Sequence, residues 1–158
     1  MTFRHHLLTA AALLALAGCD STPKLAKPYP FDVVVALTPA ADVKLKQTKS
    51  RITIYAHYYG LATPASAAKA NAVGQIALGD ENLEVSGPAR IHFAGSQMDS
   101  GLIADVGNTP YVLLTGSSEA VDGGDDPKII CMSPRASIRD LQTNVPTINC
   151  ELASEYGQ

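Results

Sequence analysis

The stretch Ile52-Thr53-Ile54-Tyr55-Ala56-His57-Tyr58-Tyr59 decides the fold class. β-Branched and aromatic residues fill it, and in an extended chain successive side chains point to opposite sides. Ile52, Ile54, Ala56 and Tyr58 therefore share one face, and Thr53, Tyr55, His57 and Tyr59 share the other. The first set reads as the core side of a strand and the second as its outer side.

The same two-residue period recurs on both sides of this stretch, so strands are expected near residues 31–37, 52–59, 74–78, 83–85, 89–94, 101–105, 111–115, 128–132 and 148–152. Turn signals separate them at Gly60, Gly79-Asp80, Ser86-Gly87-Pro88, Gly95-Ser96, Gly107-Asn108-Thr109-Pro110 and Gly123-Gly124. Short strands at this spacing predict an all-β chain, a single antiparallel β-sandwich over residues 31–158. Two short connector helices interrupt it. One is expected over 38–46, with Thr38 as N-cap and Pro39 at the first helical position; the other, over 63–71, opens in the same way with Thr63-Pro64 and forms an exposed, alanine-rich excursion.

Length and charge narrow the classes further. At 158 residues the chain has room for one domain, and a net charge of −3 disfavours nucleic acid as a partner. Lys44, Lys46, Lys49 and Arg51 form a basic set beside the second strand, and residues 119–126 are acidic, which makes the domain dipolar and able to steer a charged partner.

The first residues are an address. A basic head containing Arg4 precedes an apolar run from Leu7 to Leu16, too short to span a bilayer, and then the small residues Ala17 and Gly18. The sequence Leu16-Ala17-Gly18-Cys19 resembles the lipobox of bacterial lipoproteins at all four positions. The resemblance implies a signal peptide over 1–18, removed after lipid is attached to the Cys19 sulfur, and an acylated new amino terminus. Three acyl chains, at about 0.8 kcal/mol per buried CH₂, hold a protein to a membrane without appreciable release. Asp20 resembles the inner-membrane retention signal of enteric bacteria, which favours the inner membrane over the outer. Residues 19–30 carry Pro23, Pro28 and Pro30 and read as an extended tether.

With Cys19 assigned to the anchor, Cys131 and Cys150 remain, and an even remainder in an oxidising compartment reads as one disulfide pinning the irregular stretch 133–147.

Motifs that could carry chemistry are sparse. Ser66-Ala67-Ala68-Lys69 matches the S-x-x-K pattern of penicillin-recognising enzymes, but the S-D-N and K-T-G elements are absent, so it reads as a capped turn. After residue 18 the only histidines are His57 and His92, and neither belongs to a metal-ligand spacing. Asp122, Asp125 and Asp126 lack the alternation of a calcium loop and read as a solvated hairpin tip, suited to complementing a basic partner. Tyr55, His57 and Tyr59 make an outward aromatic row, the other candidate contact surface. The expectation is a non-catalytic, membrane-anchored, periplasm-facing lipoprotein that binds a protein as an accessory part of an envelope or secretion assembly, with no cofactor, metal or small-molecule substrate. The alternative is an inhibitor or immunity protein that plugs a periplasmic toxin or hydrolase through a loop such as 119–126; a small periplasmic hydrolase ranks below both.

Overall fold

A computed structural model describes residues 29–119, 128–133 and 135–156. Cys19 and Asp20, expected to anchor and sort the chain, and the acidic residues Asp122, Asp125 and Asp126 lie outside these. The strands are β1 (Phe31–Leu37), β2 (Ile52–Leu61), β3 (Gln75–Val85), β4 (Ala89–Phe93), β5 (Tyr111–Ser118), β6 (Ile129–Met132), β7 (Ala136–Ser137) and β8 (Thr147–Leu152). Two helices accompany them, α1 (Pro39–Thr48) and α2 (Ile138–Thr143).

The domain is all-β. Its strands belong to one curled, mixed sheet in the order β3-β2-β5-β6-β8-β1-β4, with β7 paired to β5 off this path. The expected antiparallel pattern meets one exception: β1 runs parallel to β8, Val34 through Leu37 opposing Thr147 through Cys150. Six other strand pairs are antiparallel among the described residues. The two ends of the strand order, β3 and β4, are successive in the chain and joined by Ser86-Gly87-Pro88, so the sheet curls until its edges come together.

Inside the curl the alternation read from sequence fills one core. Ile52, Ile54, Ala56 and Tyr58 of β2 are buried, together with Phe31, Val33 and Val35 of β1, Val112 and Leu114 of β5, and Ile148 of β8. Burying side chains of this size is worth about 1.5–3 kcal/mol each. Phe31 stacks on Phe93 at 5.3 Å and meets the Tyr58 ring edge-on at 6.4 Å. Helix α1 begins where its sequence says it should: Thr38 Oγ1 accepts the Ala41 amide at 3.2 Å, and Ala41 and Leu45 are buried. The second expected helix is a 3₁₀ turn over Pro64–Lys69, and it is not wholly exposed, because Ser66 is buried.

Three expectations change. The strands expected at 74–78 and 83–85 are parts of one strand, β3, which begins at Gln75; Gly79-Asp80 is no turn but a bulged continuation, with the register against β2 shifting between Tyr58 and Tyr59. Gly79 is needed there at φ +128°, since a Cβ would stand 2.3 Å from the Gln97 carbonyl oxygen. Residues 101–105 form 3₁₀ turns instead of a strand, started by Asp99, whose side chain accepts the Gly101 amide at 2.8 Å. The stretch 133–147, expected to be irregular, contains β7 and α2.

Candidate functional site

The outward side of β2 lies between two partners. On one side Tyr55, His57 and Tyr59 oppose Asn82, Asp80 and Ala77 of β3; on the other they oppose Thr115, Leu113 and Tyr111 of β5. Tyr55 is 37% exposed while Tyr58, three residues on, is 2% exposed, which fixes which side is outward. The Tyr55 and His57 rings stack at 6.0 Å, and Tyr59 stacks on Tyr111 at 5.8 Å. Arg135 places its guanidinium carbon 6.0 Å from the Tyr59 ring centroid, so a cation caps this end of the row.

His57 is tied to both neighbouring strands. Its Nδ1 lies 2.6 Å from Asp80 Oδ1 and its Nε2 3.2 Å from Thr115 Oγ1. With the proton on Nδ1 donated to Asp80, Nε2 accepts from the Thr115 hydroxyl. The order carboxylate, imidazole, hydroxyl is that of a hydrolytic triad. Its setting differs: the three groups lie on the open side of the sheet, and Thr115 sits mid-strand, facing Tyr55 of β2 and Met132 of β6, where its amide serves the ladder. What the chain of hydrogen bonds does here is hold the His57 ring parallel to Tyr55. Sequence reasoning missed this constellation because its members are 23 and 58 positions apart in the chain and only strand pairing joins them.

A cleft of about 380 Å³ opens at the Tyr111 end of the row. Its walls come from Tyr29, from the loop Asn108-Thr109-Pro110, and from the start of α2, including Ile138, Arg139 and Gln142. Helix α2 is set by Ser137, whose hydroxyl accepts the Asp140 amide at 3.2 Å and donates to Asp140 Oδ2 at 2.7 Å. The spacing Ser137-Ile138-Arg139-Asp140 is a capping pattern that would have located the helix.

The S-x-x-K residues do not form a nucleophile with its base. Ser66 Oγ donates to the Asp105 carbonyl at 2.6 Å, and Lys69 Nζ pairs with the Asp105 carboxylate at 2.6 Å; both fasten the 3₁₀ turn to the 104–106 segment. Cys131 and Cys150 are bonded, directly opposite each other on β6 and β8 and buried. Gly116 makes room for them, because a Cβ there would stand 3.2 Å from the Cys131 sulfur and 2.7 Å from Ile54 Cδ1. Of the basic set, Lys46 pairs with Asp42 within α1 and Arg51 with Glu84 across β2 and β3.

On the outer side of β1 and β4, Asp32 accepts from Arg90 at 2.7 Å and from His92 Nδ1 at 2.8 Å. The hydrogen bond from His92, then that from Arg90, hold the Asp32 carboxyl below its ordinary value. Burial raises the Tyr58 phenol above its ordinary value, and its hydrogen bond to Glu81 adds to the rise. Among the described residues no group of three His, Cys, Asp or Glu side chains is placed to hold a metal ion, and no helix is long and apolar enough to cross a membrane.

Compared with known proteins, the chain matches no family model, no curated protein and no solved structure.

Proposed function

We propose that the chain is a membrane-anchored lipoprotein whose β domain faces the periplasm and binds a protein partner, as an accessory part of an envelope or secretion assembly. The observation that carries this reading is Leu16-Ala17-Gly18-Cys19 at the end of an apolar run behind a basic head. The Cys131–Cys150 bond supports an oxidising compartment, and Asp20 supports retention in the inner membrane. The ordered row Tyr55-His57-Tyr59-Tyr111 supports a contact surface, because its rings are held by stacking and hydrogen bonds and lose little freedom on binding.

Cys19→Ser tests the anchor. The variant is expected in the soluble fraction after detergent-free lysis and without incorporated fatty acid; a membrane pellet that still carries label refutes the reading. In the same fractionation Asp20→Ser should move the protein toward the outer membrane. Replacing Tyr55 and Tyr59 together by Ser should weaken partner capture by more than about 1 kcal/mol, roughly fivefold, with little change in melting temperature. Early melting of that variant would make the row a packing feature instead.

A further inference from the structure

The cleft beside Tyr111 is where the tether meets the domain. Tyr29 is part of its wall, and Gln142 Nε2 donates to the Pro30 carbonyl at 3.1 Å. Tyr29 stands ten positions after Cys19. At no more than about 3.6 Å per residue for a fully extended chain, Tyr29 lies within about 36 Å of the lipid surface when Cys19 carries the anchor.

Charge distinguishes this end of the molecule. Of the arginines on the outer surface, Arg51 and Arg90 are each paired with a carboxylate, from Glu84 and Asp32. Arg139, in the cleft wall, and Arg135, over Tyr59, have no carboxylate partner among the described residues. The one acidic residue of the lining, Asp140, is held by the Ser137 hydroxyl at the start of α2. The lining thus holds one guanidinium, Arg139, and one carboxylate, Asp140; the carboxylate is engaged by the Ser137 hydroxyl, and a second guanidinium, that of Arg135, lies over the neighbouring Tyr59. The walls are otherwise mixed: Pro110 and Ile138 are buried, and the rings of Tyr29 and Tyr111 flank them.

We propose that this cleft receives a carboxylate side chain from an extended segment of the partner, with Arg139 as the fork that binds it and the Tyr111–Tyr59–Tyr55 row as the strip along which the rest of the segment lies. The proposal rests on the protein-binding reading above and adds to it the chemistry and position of the bound segment. A cleft of about 380 Å³ admits one or two side chains and not a folded element. From Tyr55 to Tyr59 the strand extends the site by about 13 Å, which suits an extended peptide. An arginine fork binds carboxylate through two parallel hydrogen bonds, and semi-apolar walls strengthen them by excluding water. Since the tether limits reach, the segment belongs to the part of the partner nearest the membrane.

The test places a photoreactive residue at position 142 of the full-length chain in cells, with a second at position 43, the exposed Val43 of α1, as control. Cross-links from position 142 should map to a membrane-proximal partner segment containing Asp or Glu. Arg139→Gln should cut their yield at least about fivefold, Arg139→Lys should restore part of it, and the melting temperature should not change in either variant because Arg139 is exposed. A synthetic peptide of the mapped segment and its amide twin, Asp→Asn or Glu→Gln, are then titrated against the purified chain in micelles. Tyrosine fluorescence serves as the signal, since the chain has no Trp. The acidic peptide should bind at least about tenfold tighter, and Arg139→Gln should erase the difference. Cross-links to lipid headgroups, to a second copy of this chain, or to a segment without an acid overturn the proposal, as does a yield indifferent to Arg139. The Cys19→Ser background separates the two readings. If that variant stays in the membrane, the lipoprotein reading fails while the titration still decides the cleft; if it is released and the amide twin binds equally well, the cleft fails alone.

Discussion

The curled sheet is joined in two different ways at its two critical places. Between β1 and β8 the junction is a backbone ladder, extended at both ends by Val34 N donating to Pro146 O and Thr38 N donating to Cys150 O, each at 2.9 Å. Between β3 and β4 there is no ladder among the described residues. Instead Glu81 reaches across: Oε1 accepts the Ala94 amide at 3.1 Å, and Oε2 accepts the Gly95 amide at 3.0 Å and the Tyr58 hydroxyl at 2.9 Å. Asp99 N adds a bond to the Leu78 carbonyl at 2.7 Å. A ladder spreads closure over many equivalent bonds, each worth about 1 kcal/mol net. A single carboxylate concentrates it, and its loss strands three donors at once.

The sharpest way to break this comparison is Glu81→Ala. Donors left without an acceptor cost about 1–3 kcal/mol each when buried, and Tyr58 is buried, so a loss of about 4 kcal/mol in unfolding free energy is expected from denaturant titration. Tyr58→Phe removes one of the three bonds and should cost about 1.5 kcal/mol; a loss equal to that of Glu81→Ala would mean that the Ala94 and Gly95 bonds contribute nothing. The ladder side offers the next test. Replacing Cys131 and Cys150 together by Ala should cost about 3 kcal/mol in the chain-entropy description, while leaving the β1·β8 amides protected in hydrogen exchange. If those amides exchange freely in the variant, the ladder depends on the disulfide and the junction is no more distributed than the clasp. The smallest effect belongs to Asp32, on the outer side of β1. Its carboxyl titrates below the ordinary 3.8 in the folded chain, so its contribution is present above that pH and is lost as pH falls through the lowered value. The melting-temperature gap between the parent and Asp32→Asn should narrow as pH falls below 3.8 through the lowered value.

What the sequence showed was local. Alternation in 31–37 and 52–59 located β1 and β2 and assigned their faces, and the Thr38-Pro39 opening located α1. What escaped it was long-range or ambiguous. Gly79-Asp80 carries the same letters whether a chain turns or bulges, and only the Gln97 carbonyl behind Gly79 decides. Leu102 and Ile103 suit a strand as well as they suit the 3₁₀ turns, which the Asp99 side chain starts. For the candidate site, the outward row was legible from period two, whereas Asp80 and Thr115 beside His57, and the cleft between Tyr29 and α2, follow from pairings between residues far apart in the chain.

The place of β8 in the strand order has a further consequence, one of timing. β8 lies between β6 and β1, and apart from it β1 pairs, among the described residues, only with β4; take it away and the strand order falls into two pieces, β3-β2-β5-β6 and β1-β4. Until residues 147–152 are available, β1 therefore has no backbone ladder to the rest of the sheet, and the Glu81 clasp is what bridges the two pieces. Until that segment arrives the chain has no complete core to bury, and contacts this distant in sequence form slowly. A polypeptide built this way completes its sheet only when nearly its whole length is available, and the strand that completes it is the last of those described.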